Sequence, residues 1–148
     1  MAKILTVDDD QRIQTLLQQL LRTKGHEVVT AESGHDALDK LKTTPFDLVI
    51  TDLRMPKMNG MELLGHVKAL CPTVPVIMVT AYASEDTTVE AVRRGVFDYL
   101  AKPFKIDELM AAIGRSLSAG MDKSRATDGY SGNNASIVAY LASAGAGS

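Results

Sequence analysis

Short apolar runs alternate with stretches of helical period along the first 118 residues. Ile4–Val7 is the first run. A cluster of acids follows it, then Ile13, Leu16, Leu17, Leu20 and Leu21, spaced for one inward helix face, with Gly25 at the expected stop. Val28–Ala31 reads as a second strand. Ser33 and Gly34 open a helix with Ala37, Leu38 and Leu41 inward, and Pro45 closes that region. Leu48–Thr51 is almost continuously apolar, as a strand buried on both faces must be. A loop with Pro56, Asn59 and Gly60 leads to a helix carrying Leu63, Leu64, Val67 and Leu70. Val76–Val79, set off by Pro72 and Pro75, is the fourth strand. Ser84–Arg94 has helical period but few apolar positions, and Val89 and Val92 are its expected anchors. Asp98–Ala101 is a short fifth strand, and Ile106, Leu109, Ile113 and Leu117 mark a fifth helix. Five strand–helix units imply an α/β fold: a doubly wound parallel sheet with five helices on its two faces. Alternation alone leaves the strand order open.

Composition changes near residue 119. Residues 120–148 hold five of the eleven glycines and none of the five prolines, amid Ala, Ser and Asn, so residues 1–119 form the expected domain. The rest is expected to be a tail or linker, with a short helix at about 135–144 capped by Asn133 or Asn134. A net charge of −2 argues against nucleic-acid binding by this chain, because phosphate tracking needs clustered cations. One cysteine, Cys71, excludes an internal disulfide and reads as an inert helix-end residue. No apolar run is long enough for a secretory signal or a membrane span, so a soluble, cytoplasmic protein is expected.

The chemistry lies at the carboxyl end of each strand. The first ends in Asp8-Asp9-Asp10, the third in Asp52, the fourth in Thr80, and the fifth in Lys102-Pro103. Carboxyl ends of parallel strands share one edge, where ligands of such sheets bind. Converging carboxylates repel unless a cation intervenes. Mg2+ suits such oxygen ligands and retains waters that a phosphoryl group can replace. Asp10 fits equally well as a plain helix cap. The histidines His26, His35 and His66 lie outside these loops, lack ligand spacing and are expected at the surface.

The segments ILTVDDD (Ile4–Asp10), DLVITDLRMPKMNG (Asp47–Gly60), VIMVTA (Val76–Ala81) and FDYLAKPF (Phe97–Phe104) resemble, in this order, the receiver domains of two-component response regulators. The resemblance implies strand order 2-1-3-4-5. It also implies that Asp52 is the phosphoacceptor, taking a phosphoryl group from a sensor histidine kinase or phosphotransfer protein. Metal ligands would be Asp9, Asp8 through water, Asp52 and the backbone carbonyl of Arg54. Lys102 would bind a phosphoryl oxygen, with Pro103 following in a cis peptide. Thr80 would be the switch hydroxyl and Tyr99 an aromatic that turns inward when Thr80 moves. Arg54 and Tyr82 would border the path of attacking water and tune dephosphorylation. A phosphorylation-dependent homodimer is expected through helix 4, strand 5 and helix 5, with Glu85, Glu90, Arg93, Arg94, Asp98 and Lys105 supplying charges.

Such a domain is not an enzyme in the conventional sense: it is phosphorylated and slowly dephosphorylates itself. The stretch Thr80–Phe104 resembles receivers of enhancer-binding transcriptional activators, so a receiver cut from a larger activator stands beside a stand-alone regulator. Two other classes fit less well. A haloacid-dehalogenase-type phosphatase matches the spacing of Asp8 and Asp10, but Arg12 stands where that pattern wants Thr or Val. A flavodoxin-like binder needs an anion loop where three aspartates stand.

Overall fold

The computed structural model describes residues 2–121. Its elements are β1 (Lys3–Val7), α1 (Gln11–Thr23), β2 (Glu27–Ala31), α2 (Gly34–Thr43), β3 (Leu48–Thr51), α3 (Gly60–Leu70), β4 (Val76–Thr80), α4 (Glu85–Arg93), β5 (Asp98–Ala101) and α5 (Ile106–Met121). The strands form one parallel sheet in the order β2-β1-β3-β4-β5, the order implied by the resemblance. Register aligns Val7 with both Ala31 and Thr51, so the carboxyl ends of β1, β2 and β3 lie level.

Strand side chains alternate between faces, and each face has its own core. Leu5, Val7, Val49, Met78 and Tyr99 join residues of α2, α3 and α4, among them Leu41, Leu64 and Ala91. Ile4, Leu48, Ile50, Ile77, Val79 and Leu100 join Leu17 and Leu21 of α1 and Leu109 and Ile113 of α5. Four helices start on side-chain caps. Asp10 caps α1 and Ser33 caps α2; Asn59 with Glu62, and Ser84 with Thr87, form reciprocal boxes on α3 and α4.

Four expectations are corrected. Leu16 is 49% exposed, because the sheet-facing line of α1 runs through Gln14, Leu17 and Leu21. Gln14 can occupy the core because its amide donates to the carbonyls of Thr6 (3.1 Å), Asp8 (3.1 Å) and Ala31 (2.7 Å), and its oxygen accepts from the Thr6 hydroxyl (2.7 Å). On α4, Thr88 and Ala91 are buried in place of Val89, which is exposed. The Thr88 hydroxyl is satisfied inside by the Ser84 carbonyl at 2.6 Å. Ile106 and Leu70, placed on inward stripes by spacing, are exposed at the ends of their helices. His26 is half-buried rather than at the surface, and its Nδ1 accepts the Ala2 N–H at 3.3 Å. The expected tail helix at about 135–144 lies outside the described residues. Among those residues no helix is long and apolar enough to cross a membrane.

Candidate functional site

Backbone hydrogen bonds at the strand ends set the acidic residues in place. Asp8 N–H donates to Ala31 O at 3.2 Å and Asp52 N–H to Val7 O at 3.0 Å, which keeps both residues beside the neighbouring strand. Lys102 N–H donates to Thr80 O at 2.8 Å, tying the last loop to the end of β4. The Lys102–Pro103 peptide is cis. Gln14, by bonding the Asp8 carbonyl, anchors the first acidic loop to α1.

One carboxylate oxygen from each of Asp8, Asp9 and Asp52 lies within 4.8 Å of the other two. The Lys102 ammonium stands 3.3 Å from Asp8 Oδ2 and 3.8 Å from Asp52 Oδ2. Burial pushes the Asp8 carboxyl above its ordinary range. The Asp10 N–H and the Lys102 ammonium oppose that rise, and the Asp52 charge adds to it. Asp52 is half-buried, with Oδ1 accepting its neighbour's N–H (Leu53) at 2.7 Å. Asp9 is exposed, leaving its carboxylate open to solvent. Three carboxylates beside one ammonium leave net negative charge among hard oxygen donors. That chemistry accommodates a divalent cation of the Mg2+ type. Asp10 takes no part in the cluster: it accepts Arg12 N–H at 2.9 Å as the cap of α1, and this bond holds its carboxyl below the ordinary value.

Thr80 is buried at the end of β4, and its hydroxyl accepts Tyr82 N–H at 3.0 Å. Tyr99 is fully buried, its hydroxyl 2.9 Å from Thr87 Oγ1. The aromatic expected to turn inward on phosphorylation is therefore already inside. Arg54 and Tyr82, both exposed, meet: Arg54 Cζ lies 4.2 Å from the Tyr82 ring centroid.

Two features escaped the sequence. Gly60 is pressed against the phosphoacceptor candidate's backbone: a Cβ there would overlap the Asp52 carbonyl oxygen and lie 2.9 Å from Leu53 Cα. Its position after Asn59, at the start of α3, is the only local hint. Asp98, expected among the surface charges of the α4–β5–α5 face, is fully buried and bonds Arg115 of α5 at 2.9 Å. Glu90 of α4 and Arg94, the residue that ends that helix, also expected among the charges offered to a partner, pair with each other at 3.0 Å.

Residues 4–114 match the response regulator receiver domain family. The chain is 46% identical over 115 residues to the transcriptional regulatory protein ZraR of Escherichia coli (strain K12), covering 78% of this chain and 26% of ZraR. It is 44% identical over 112 residues to the DNA-binding transcriptional regulator NtrC of Klebsiella pneumoniae, covering 76% of this chain and 24% of NtrC. It thus spans about a quarter of the length of these relatives. Among solved structures, the response regulator protein TrrA of Thermotoga maritima, crystallised in complex with Mg(2+)-BeF, superposes with a TM-score of 0.73 at 34% identity, over 79% of this chain and all (100%) of TrrA.

Proposed function

The chain belongs to the response regulator receiver domain family of two-component signalling, and on that premise we propose that Asp52 is its phosphoacceptor. Family membership sets aside the phosphatase and flavodoxin-like alternatives. The observation that carries the residue-level reading is the juxtaposition of three carboxylates within 4.8 Å with the Lys102 ammonium 3.3 and 3.8 Å from two of them.

In this reading a carboxylate oxygen of Asp52 attacks the phosphorus of a phosphohistidine. The O–P bond forms, the P–N bond breaks, and the imidazole leaves and takes its proton from solvent. Oδ1 is held by Leu53 N–H, so Oδ2, on the Lys102 side, is the oxygen presented. The Lys102 ammonium then pairs with a phosphoryl oxygen. Receiver domains bind Mg2+; here Asp8, Asp9, Asp52 and the Arg54 carbonyl would hold it, and when bound it neutralises charge developing on the phosphoryl oxygens. By the resemblance, Asp9 would ligate directly and Asp8 through water. Thr80 would exchange its bond from Tyr82 N–H for one donated to the phosphoryl oxygen, drawing in the loop after β4.

The partner is a sensor histidine kinase or phosphotransfer protein in the cytoplasm. The relatives' names and the quarter-length match favour a receiver that is part of a longer transcriptional regulator, with the stretch from residue 120 as its linker. Contact with DNA then falls to residues outside this chain, whose net charge is −2. The α4–β5–α5 face would carry a phosphorylation-dependent homodimer through Glu85, Arg93 and Lys105, each exposed pair contributing only ~0–1 kcal/mol. The test is incubation with a small acyl-phosphate donor, with and without Mg2+. One phosphoryl group should be gained only with the metal; gain that ignores Mg2+ contradicts the site.

A further inference from the structure

Tyr99 has 0% exposure, and a phenol hydroxyl in the core needs a partner. The Thr80 hydroxyl, at the end of β4, accepts Tyr82 N–H at 3.0 Å. The Tyr99 hydroxyl lies 2.9 Å from Thr87 Oγ1, in the first turn of α4. Thr87 is also half of the α4 capping box. Its oxygen accepts Ser84 N–H (3.1 Å) and lies 2.9 Å from Ser84 Oγ and 3.2 Å from Ser84 O. A threonine oxygen has two lone pairs and one proton. One lone pair takes Ser84 N–H, and the rest of the hydroxyl is shared between the Ser84 oxygens and the Tyr99 hydroxyl. The phenol is therefore hydrogen-bonded into the cap of α4, and the ring cannot swing out without disturbing the start of that helix.

We propose that Thr87 is the positioning residue for Tyr99, a hydroxyl latch that holds the ring buried before any phosphoryl group reaches Asp52. The proposal rests on the reading of Tyr99 as the aromatic of the switch. The cap of α4 then adds to core packing in holding the ring buried. Phosphorylation acts by moving Thr80 and the loop 81–83, which lies between Thr80 and that cap.

The test tracks the solvent exposure of the Tyr99 ring by NMR of the full chain, using a soluble paramagnetic agent, before and after Mg2+ and beryllofluoride are added. Thr87→Val keeps the shape and removes the hydroxyl; Thr87→Ser keeps the oxygen. Wild type and Thr87→Ser should have protected rings in both states. Thr87→Val should raise the exposed-ring population about fivefold without beryllofluoride, the shift expected from one lost hydrogen bond. Adding beryllofluoride should return the ring inside. A Thr87→Val ring as protected as wild type overturns the latch. A ring that is exposed but does not return leaves the latch standing and overturns the switch reading of Tyr99. Thr87→Val also weakens the cap, so Tyr99→Phe serves as the second variant. It leaves the capping box intact and should still shift the Thr87 amide resonance. No shift there overturns the latch as well.

Discussion

The Arg54 guanidinium lies over the Tyr82 ring, with Cζ 4.2 Å from the ring centroid. Arg54 follows Asp52 by two positions and Tyr82 follows Thr80 by two, so the pair bridges the loops after β3 and β4. Exposed cation–π pairs contribute only about 0.5–1 kcal/mol, so its weight falls on access more than on stability. Hydrolysis of an acyl phosphate on Asp52 needs a water in line with the breaking bond, and neither side chain carries a carboxylate or amide to orient one.

Shielding by this pair should make the phosphorylated protein long-lived. Arg54→Asn combined with Tyr82→Glu is expected to speed dephosphorylation several-fold to about a hundredfold, or ~1–3 kcal/mol of barrier. Decay of phosphorylated protein after donor removal measures it. An unchanged or slower decay contradicts shielding.

Gly60 is a steric requirement of the Asp52 loop. Gly60→Ala, whose methyl would meet the Asp52 carbonyl and Leu53 Cα, is expected to destabilise by about 1–3 kcal/mol and to slow phosphorylation. Gly114→Ala is the control. It lies in α5 with nothing within 4 Å of a Cβ, and it should stabilise by about 0.4–1 kcal/mol. Urea titrations of the two variants should move in opposite directions.

The clustered carboxylates should cost the metal-free fold stability. Asp9→Ala removes one of three mutually repelling charges, which Lys102 offsets only for Asp8 and Asp52. Without metal the variant should melt roughly 2–5 °C above wild type. Mg2+ at a hundred times its dissociation constant should stabilise wild type by about 2.7 kcal/mol and leave the variant unmoved. Thermal melts with and without Mg2+ check both statements.

His26 gives the fold an acid sensitivity away from the site. Burial holds its imidazole below the ordinary value of 6.5. The unfolded chain therefore binds a proton there more readily than the folded chain does. The stability from neutral His26 is present above about pH 6.5 and is lost as pH falls below that value. Protonation at Nδ1 also removes the acceptor of Ala2 N–H. His26→Gln should flatten the fall in melting temperature between about pH 7 and pH 5; a slope as steep as wild type contradicts this.

The strands were legible because parallel strands covered on both faces leave near-continuous apolar runs, and the acids were legible because they stand directly after those runs. What stayed hidden depends on contacts between distant residues. Gln14 looks like a solvent-facing amide until three strand-end carbonyls converge on it. Val89 is a better apolar anchor than Thr88 by composition, yet Thr88 is buried because Ser84 O satisfies its hydroxyl. Asp98 reads as a surface charge until Arg115, 17 residues on, reaches it from α5. The inward Tyr99 was missed for the same reason, since its partner lies on another element.

The most direct measurement is the intact mass of wild type and Asp52→Asn after incubation with a small acyl-phosphate donor and Mg2+. The substituted carboxamide keeps the volume of the aspartate side chain but lacks the nucleophilic oxygen anion. Wild type is expected to gain one phosphoryl group and the variant none, with both proteins melting as folded domains. A variant that gains phosphate at wild-type stoichiometry would contradict the assignment of Asp52.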